Sequence, residues 1–184
     1  MKKKTIFIII GVILGLVLII FLLTKIPKRQ FNSFTFPNIM AVKNYTDNEM
    51  SDTITMVALN KMMSYDTMTI NIFELKGIYD TPDYEFSGVI MNVPFQDHTY
   101  NLFLKNSLSM SSLKNVITHE LIHLEQYEKN YLQTINDIGY VWMGDTVKYS
   151  DVPYDKRPHE IEAYKEGPKL LKELNNILYK KKNK

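Results

Sequence analysis

The stretch Ser109–Lys129, SMSSLKNVITHELIHLEQYEK, decides how this chain is read. It places His119, Glu120 and His123 in the arrangement His-Glu-x-x-His. Around them Leu113, Val116, Ile117, Leu121 and Leu124 recur at three- and four-residue steps, the period of a helix with one buried side. The serines that open the stretch can cap the first amides of that helix. Positions four apart lie one turn above each other on the same face, so both imidazoles can reach a single ion. Neutral imidazole is a favoured zinc ligand, and three protein ligands would leave a fourth position to water. Glu120 can sit beside the ion without binding it, placed to take a proton from water. A solvated surface helix would need no metal, but the apolar residues put this helix inside a fold, where unpaired imidazoles are costly.

Such a site needs a third ligand, and the chain offers two other histidines, His98 and His159. A histidine six residues after His123 would extend the motif in the metzincin manner, but Lys129 stands there. Cysteine is absent from the chain, which excludes thiolate ligands, disulfides and cysteine nucleophiles together. A carboxylate from a later helix is therefore expected.

The segments HELIHLEQ (119–126) and PYDKRPHEIEAY (153–164) together resemble small bacterial and phage-type gluzincin-like zinc metallopeptidases with HExxHxxQ and a later RPxExEA segment. The resemblance covers roughly the C-terminal third. It implies a compact zincin-like α+β domain: a small, mostly antiparallel sheet, an active-site helix and a C-terminal ligand helix. It also implies Zn²⁺ held by His119, His123 and Glu160, the last matched with Ala163 in a Glu-x-x-Ala signature, and Glu120 as catalytic base. Glu162, about 200° around the helix from Glu160, and His159 remain the alternatives for the third ligand. In the thermolysin-like pattern an Asp follows the ligand glutamate by four residues; Tyr164 occupies that place, so support for the ligand histidines must come from elsewhere. Tyr154, His159 and Tyr164 are candidates to stabilise an oxyanion.

The remaining sequence is read as helix, three strands, helix, hairpin, helix. Asn48–Tyr65 carries a methionine-rich apolar stripe at helical spacing. Thr67–Lys76, Tyr84–Val93 and His98–Lys105 alternate as strands do, the last two joined by the turn-like PFQD. Tyr131–Tyr149 reads as a hairpin with Gly144-Asp145 near its turn, and Asp155–Tyr179 as a helical region that Pro168 breaks or kinks. A peptide substrate could add as a strand along His98–Lys105.

Thr5–Leu23, TIFIIIGVILGLVLIIFLL, is an uncharged run between basic flanks. As a helix it would span roughly 28 Å, close to the hydrocarbon thickness of a bilayer. No small-x-small cleavage site follows it, so an uncleaved anchor is expected rather than a signal peptide. The expected organisation is a basic tail (1–4), a transmembrane anchor (5–23), a linker (24–44), a zincin-like metallopeptidase domain (45–179) and a second basic tail (180–184). Three lysines in the short N-terminal tail favour that end inside and the large domain outside. The formal charge of +2, with its basic residues gathered in terminal and juxtamembrane blocks, argues against a nucleic-acid partner. The two functions in view are a membrane-anchored zinc peptidase acting on peptides or proteins, and a membrane-anchored binding or structural module with a non-catalytic zinc.

Overall fold

A computed structural model describes residues 39–62, 67–75, 87–106, 108–135 and 138–182. The expected anchor at 5–23 lies outside these residues, and among the described residues no helix is long and apolar enough to cross a membrane. The described part is α+β. Its elements in order are β1 (Ile39–Asn44), α1 (Met50–Met62), β2 (Thr67–Leu75), β3 (Gly88–Asn92), β4 (Thr99–Lys105), α2 (Met110–Glu128), β5 (Leu132–Ile135), β6 (Gly139–Trp142), β7 (Asp145–Lys148), a 3₁₀ turn (Tyr154–Lys156) and α3 (Pro158–Lys182).

Strands β1 to β4 form one sheet in the order β1-β2-β4-β3. The sheet departs from the mostly antiparallel expectation: β1 pairs parallel with β2, β2 pairs parallel with β4, and only β3 runs antiparallel, against β4. Two features cause the difference. The segment IMAVKN, which reads as linker because it is short and follows Pro37, is strand β1, and α1 supplies the crossover that parallel pairing with β2 requires. The chain then reaches the far edge before β4 returns between β2 and β3, so β2, β3 and β4 are no simple meander.

Alternation along β2 and β4 gives the sheet two unlike faces. Met68, Ile70, Ile72, Tyr100, Leu102 and Leu104 are buried under the helices. On the other face Phe73 stacks between Tyr45 and Phe103, and Asn71 donates a hydrogen bond to Asn101 across the β2–β4 pair. The core joins this sheet to Ile54, Ala58 and Leu59 of α1, Leu113, Ile117, Leu121 and Leu124 of α2, and Ala163, Leu170 and Leu174 of α3. Ser109 caps α2 as its position suggests, its side chain accepting from the Ser112 amide at 3.1 Å.

The expected hairpin is a three-stranded antiparallel sheet, β5-β6-β7. The turn between β6 and β7 is Met143-Gly144, with φ of 48° and 97°. Positive φ at both positions matches the twist of two-residue hairpins, and the glycine makes the second position inexpensive. Pro168 does not end α3, which runs on to Lys182. The proline is exposed, so the Tyr164 carbonyl that loses its intrahelical donor lies on the solvent side, where water can replace the bond.

Two glycines control how closely α2 is approached. A Cβ on Gly88 would collide with Cγ1 of Val116 and lie 3.4 Å from Cγ of Glu120. A Cβ on Gly167 would meet the His119 backbone at 3.5 Å, an ordinary contact. Gly88→Ala is therefore expected to cost about 1–3 kcal/mol by overpacking. Gly167→Ala should be neutral or stabilising by up to about 1 kcal/mol, because alanine is the better helix former. Thermal unfolding of the two variants checks this contrast; equal melting temperatures would contradict it.

Candidate metal centre

The face shared by positions 119 and 123 of α2 brings His119 Nε2 and His123 Nε2 to 3.2 Å, with the rings edge to face. The first turn of α3 supplies Glu160, whose Oε2 lies 3.3 Å from His119 Nε2 and 3.5 Å from His123 Nε2. This approach depends on small residues. Ala163 and Gly167 follow Glu160 on the same side of α3 and are buried, and Gly167 sits against the His119 backbone. Leu170 and Leu174 continue that buried seam at alternating three- and four-residue steps, so the helix–helix packing that builds the core also sets the position of Glu160.

The triangle has the dimensions of a coordination site. Three ligand atoms each about 2.0–2.1 Å from one tetrahedral ion lie about 3.3–3.4 Å apart. The separations here, 3.2, 3.3 and 3.5 Å, bracket that value. His119, His123 and Glu160 are accordingly a group that could hold a metal ion. Two imidazole nitrogens and a carboxylate oxygen suit zinc.

Protonation points the same way. His123 Nδ1 lies 2.8 Å from Oε1 of Gln126, whose amide nitrogen donates to the His159 carbonyl at 3.0 Å and to Glu162 Oε2 at 2.9 Å. Both partners of that nitrogen are pure acceptors, so Oε1 faces His123 and Nδ1 must be the donor. In a neutral His123 the Nε2 lone pair therefore points at Glu160. Oε2 of Glu160 is buried, and although both imidazoles are close, neither is aligned as a hydrogen-bond donor to it. The carboxylate oxygen is thus left without an aligned donor beside two imidazole nitrogens, an arrangement a cation relieves. Burial opposes charge on His123, yet its contacts with Glu160, Glu120 and Gln126 prevail and push its pKa up to about 9. Burial likewise opposes charge on Glu160, but the two imidazoles and Tyr154 hold its carboxyl well below the usual range.

Glu120 lies beside the triangle rather than in it. Its Oε2 accepts a 3.0 Å hydrogen bond from the main-chain N–H of Ile90 in β3. Burial drives its carboxyl pKa upward, against the pull of His123 and His119. His119 and Glu120 head a cleft of about 530 Å³, walled by Gly88 and Val116 on one side and by Tyr154 and Tyr164 on the other. Burial, and then Glu160, push the Tyr154 hydroxyl upward; it is hydrogen-bonded with Glu160.

The edge of the sheet beside this cleft is β3. Residues 99–105 form a central strand, so the expectation of strand addition along His98–Lys105 is overturned by the sheet order. His98 stands in the preceding turn with φ of 50°, ion-paired at 2.8 Å with Glu128. In β3, hydrogen bonds from Lys105 N to Ser87 O and from Val93 N to Thr99 O turn the odd positions toward β4. Gly88, Ile90 and Asn92 therefore present their main-chain groups outward.

Of the alternative ligands, Glu162 is engaged with Gln126, and His159 is packed edge-on against Tyr140 with its Nε2 3.6 Å from Glu160 Oε1. Burial lowers the His159 pKa to about 4. Two roles were not read from the sequence. Gln126 stands there as the last residue of the HExxHxxQ pattern, without an assigned contact. The Ile90 amide has no signal at all, because any residue supplies it.

No protein-family model matches the chain, and neither a curated protein nor a solved structure does.

Equilibrium dialysis of the full-length chain against Zn²⁺ should give one bound equivalent. Glu160→Ala is expected to weaken binding by about a hundredfold or more, since it removes one of three ligands, while Glu162→Gln and His159→Ala keep one equivalent. Retention by Glu160→Ala with loss by His159→Ala would reassign the third ligand.

Proposed function

We propose that the chain is a zinc-dependent peptidase of the small gluzincin-like kind, cleaving peptide bonds and held at a membrane by residues 5–23 with its catalytic domain outside. The observation that carries this reading is the joint placement of the His119–His123–Glu160 triangle and Glu120 at the head of an open cleft, beside β3, an edge strand of the described sheet. The resemblance of HELIHLEQ and RPHEIEAY to such peptidases supports it, as does the uncharged run Thr5–Leu23.

When bound, zinc would supply Lewis acidity toward the scissile carbonyl and lower the pKa of the attacking water. The chain's own residues do the rest. The outward main-chain groups of β3 other than the Ile90 amide, which Glu120 holds, can pair with an extended peptide and lay it across the cleft. Glu120, held in place by the Ile90 amide, takes the proton of the attacking water and returns it to the departing amine. Its upward-shifted carboxyl suits a group that must both accept and give back a proton. The Tyr154 hydroxyl, kept protonated, can turn from Glu160 to the developing oxyanion.

The second reading, a membrane-anchored binding or structural module with a closed zinc site, needs a fourth protein ligand. His159, whose Nε2 lies 3.6 Å from Glu160 Oε1 but outside the His119–His123–Glu160 group, would have to move to supply it. X-ray absorption that counts three imidazoles on bound zinc would favour this reading.

Glu120→Gln preserves shape and the acceptor for Ile90 while removing the base. With the full-length chain and a broad peptide library, the variant should keep its zinc and lose activity by about 10²–10⁴-fold. Stoichiometric zinc without cleavage by the unaltered chain would move the assignment to the structural reading. Tyr154→Phe should lower kcat by about tenfold or more with zinc content unchanged; an unaltered kcat would remove Tyr154 from the reaction.

A further inference from the structure

Gln126 is 2 % exposed, among the most deeply buried polar side chains described. It touches both ligand-bearing helices. Its carbonyl oxygen accepts from His123, one turn back on α2. Its nitrogen donates to the carbonyl of His159, the residue that precedes Glu160 on α3, and to the carboxylate of Glu162. Every hydrogen-bonding end of the amide that reaches a described partner thus bears on the metal triangle from behind.

We infer that Gln126 and Glu162 are positioning residues that form a relay, Glu162 carboxylate to Gln126 amide to His123 imidazole, which assembles the metal site before the ion arrives. The inference rests on the metal-centre reading above. Three physical effects follow from the geometry. The relay fixes which His123 nitrogen is left for the ion, because an amide oxygen can only accept, so Nδ1 keeps its proton and Nε2 is the one that can be given up. It fixes the ring plane, because Nδ1 is tethered on the side opposite the lone pair. It pins the first turn of α3 to α2 through the His159 carbonyl, so Glu160 and His123 are held by one side chain. The part-buried Glu162 end matters because a carboxylate acceptor polarises the amide and makes its oxygen a better partner for the imidazole. A ligand histidine supported by a direct carboxylate would gain the same orientation; here the carboxylate acts at one remove. The sequence spacing fits this division of labour. Glu162 is two residues past Glu160 and so lies on a different side of α3, free to serve Gln126 while Glu160 faces the imidazoles.

A purely structural role for Gln126 would need only a buried, satisfied amide between two helices. A charge exchange separates the two. In Gln126→Glu two carboxylates oppose each other at the 126–162 contact, and the His159 carbonyl loses its donor. Adding Glu162→Gln restores a donor–acceptor pair, with the carboxylate at 126 accepting from both His123 and the amide at 162. The double variant keeps the size and net charge of the original pair.

The experiment uses the full-length chain and reads zinc affinity by chelator competition and the visible spectrum of the Co²⁺-loaded protein, with metal-free melting temperature as the control for folding. Gln126→Leu should bind zinc about 10–100-fold more weakly and shift the Co²⁺ bands, at an unchanged far-ultraviolet dichroism. Gln126→Glu alone should be comparably weak, and the Gln126→Glu/Glu162→Gln pair should bind zinc at least about fivefold more tightly than Gln126→Glu, short of the original because the His159 carbonyl still lacks its donor. If Gln126→Leu does not fold, the charge-exchange pair decides the matter. Equal affinity for Gln126→Leu and the original chain, or a double variant no better than Gln126→Glu, overturns the relay. Failure of the unaltered chain to bind zinc is a different result, for it overturns the metal centre itself.

Discussion

Two imidazole nitrogens and a carboxylate oxygen, converging within 3.2–3.5 Å of one another, set the terms for the surrounding structure. Such a cluster is unfavourable unless a positive charge enters it. Holding it together requires α2 and α3 to pack closely, and that requires Ala163 and Gly167 where the helices meet. It also requires β3 to lie close against α2, which Gly88 allows. The hydrophobic seam of Leu170 and Leu174 and the core under the sheet provide the favourable burial that offsets the crowding of polar groups at one end.

The helix that carries the histidines was legible because two independent periodicities coincide in it. The apolar residues and the two imidazoles repeat with the same turn but on adjoining faces, and a serine stands where a cap is needed. Glu160 was reached by resemblance, and the structure places it at the triangle; its geometric signature, small residues three and seven positions later, is visible once α3 is known to cross α2 at that point. The sheet was less legible. Strand alternation marks where β2 and β4 lie but not who pairs with whom, and parallel pairing depends on a crossover that is itself part of the tertiary structure. IMAVKN is too short and too close to a proline to announce a strand. The position of β4 in the middle of the sheet moved the open edge to β3, and with it the surface that faces the cleft.

What sequence could not encode locally are contacts made through the main chain or through an amide with two ends. Gln126 is an ordinary polar residue on a helix until its partners from α3 are in place. Its two donor contacts then determine the orientation of the amide, and that orientation determines which nitrogen of His123 is free. Tertiary contact sets which nitrogen of His123 faces the cluster, and no linear pattern supplies that contact.

The hydrogen bond from Ile90 to Glu120 has a consequence for the solubility of the protein as well as its chemistry. A sheet edge with free amides is a template on which a second copy of the chain can pair, and natural proteins blunt such edges with charge, bulges or cover. Along the five-residue β3 the central outward amide is already occupied by the Glu120 carboxylate. A neighbouring strand sliding in at random would have to displace a buried acceptor before it could zip. The carboxylate thus works as a stopper on this edge of the described sheet.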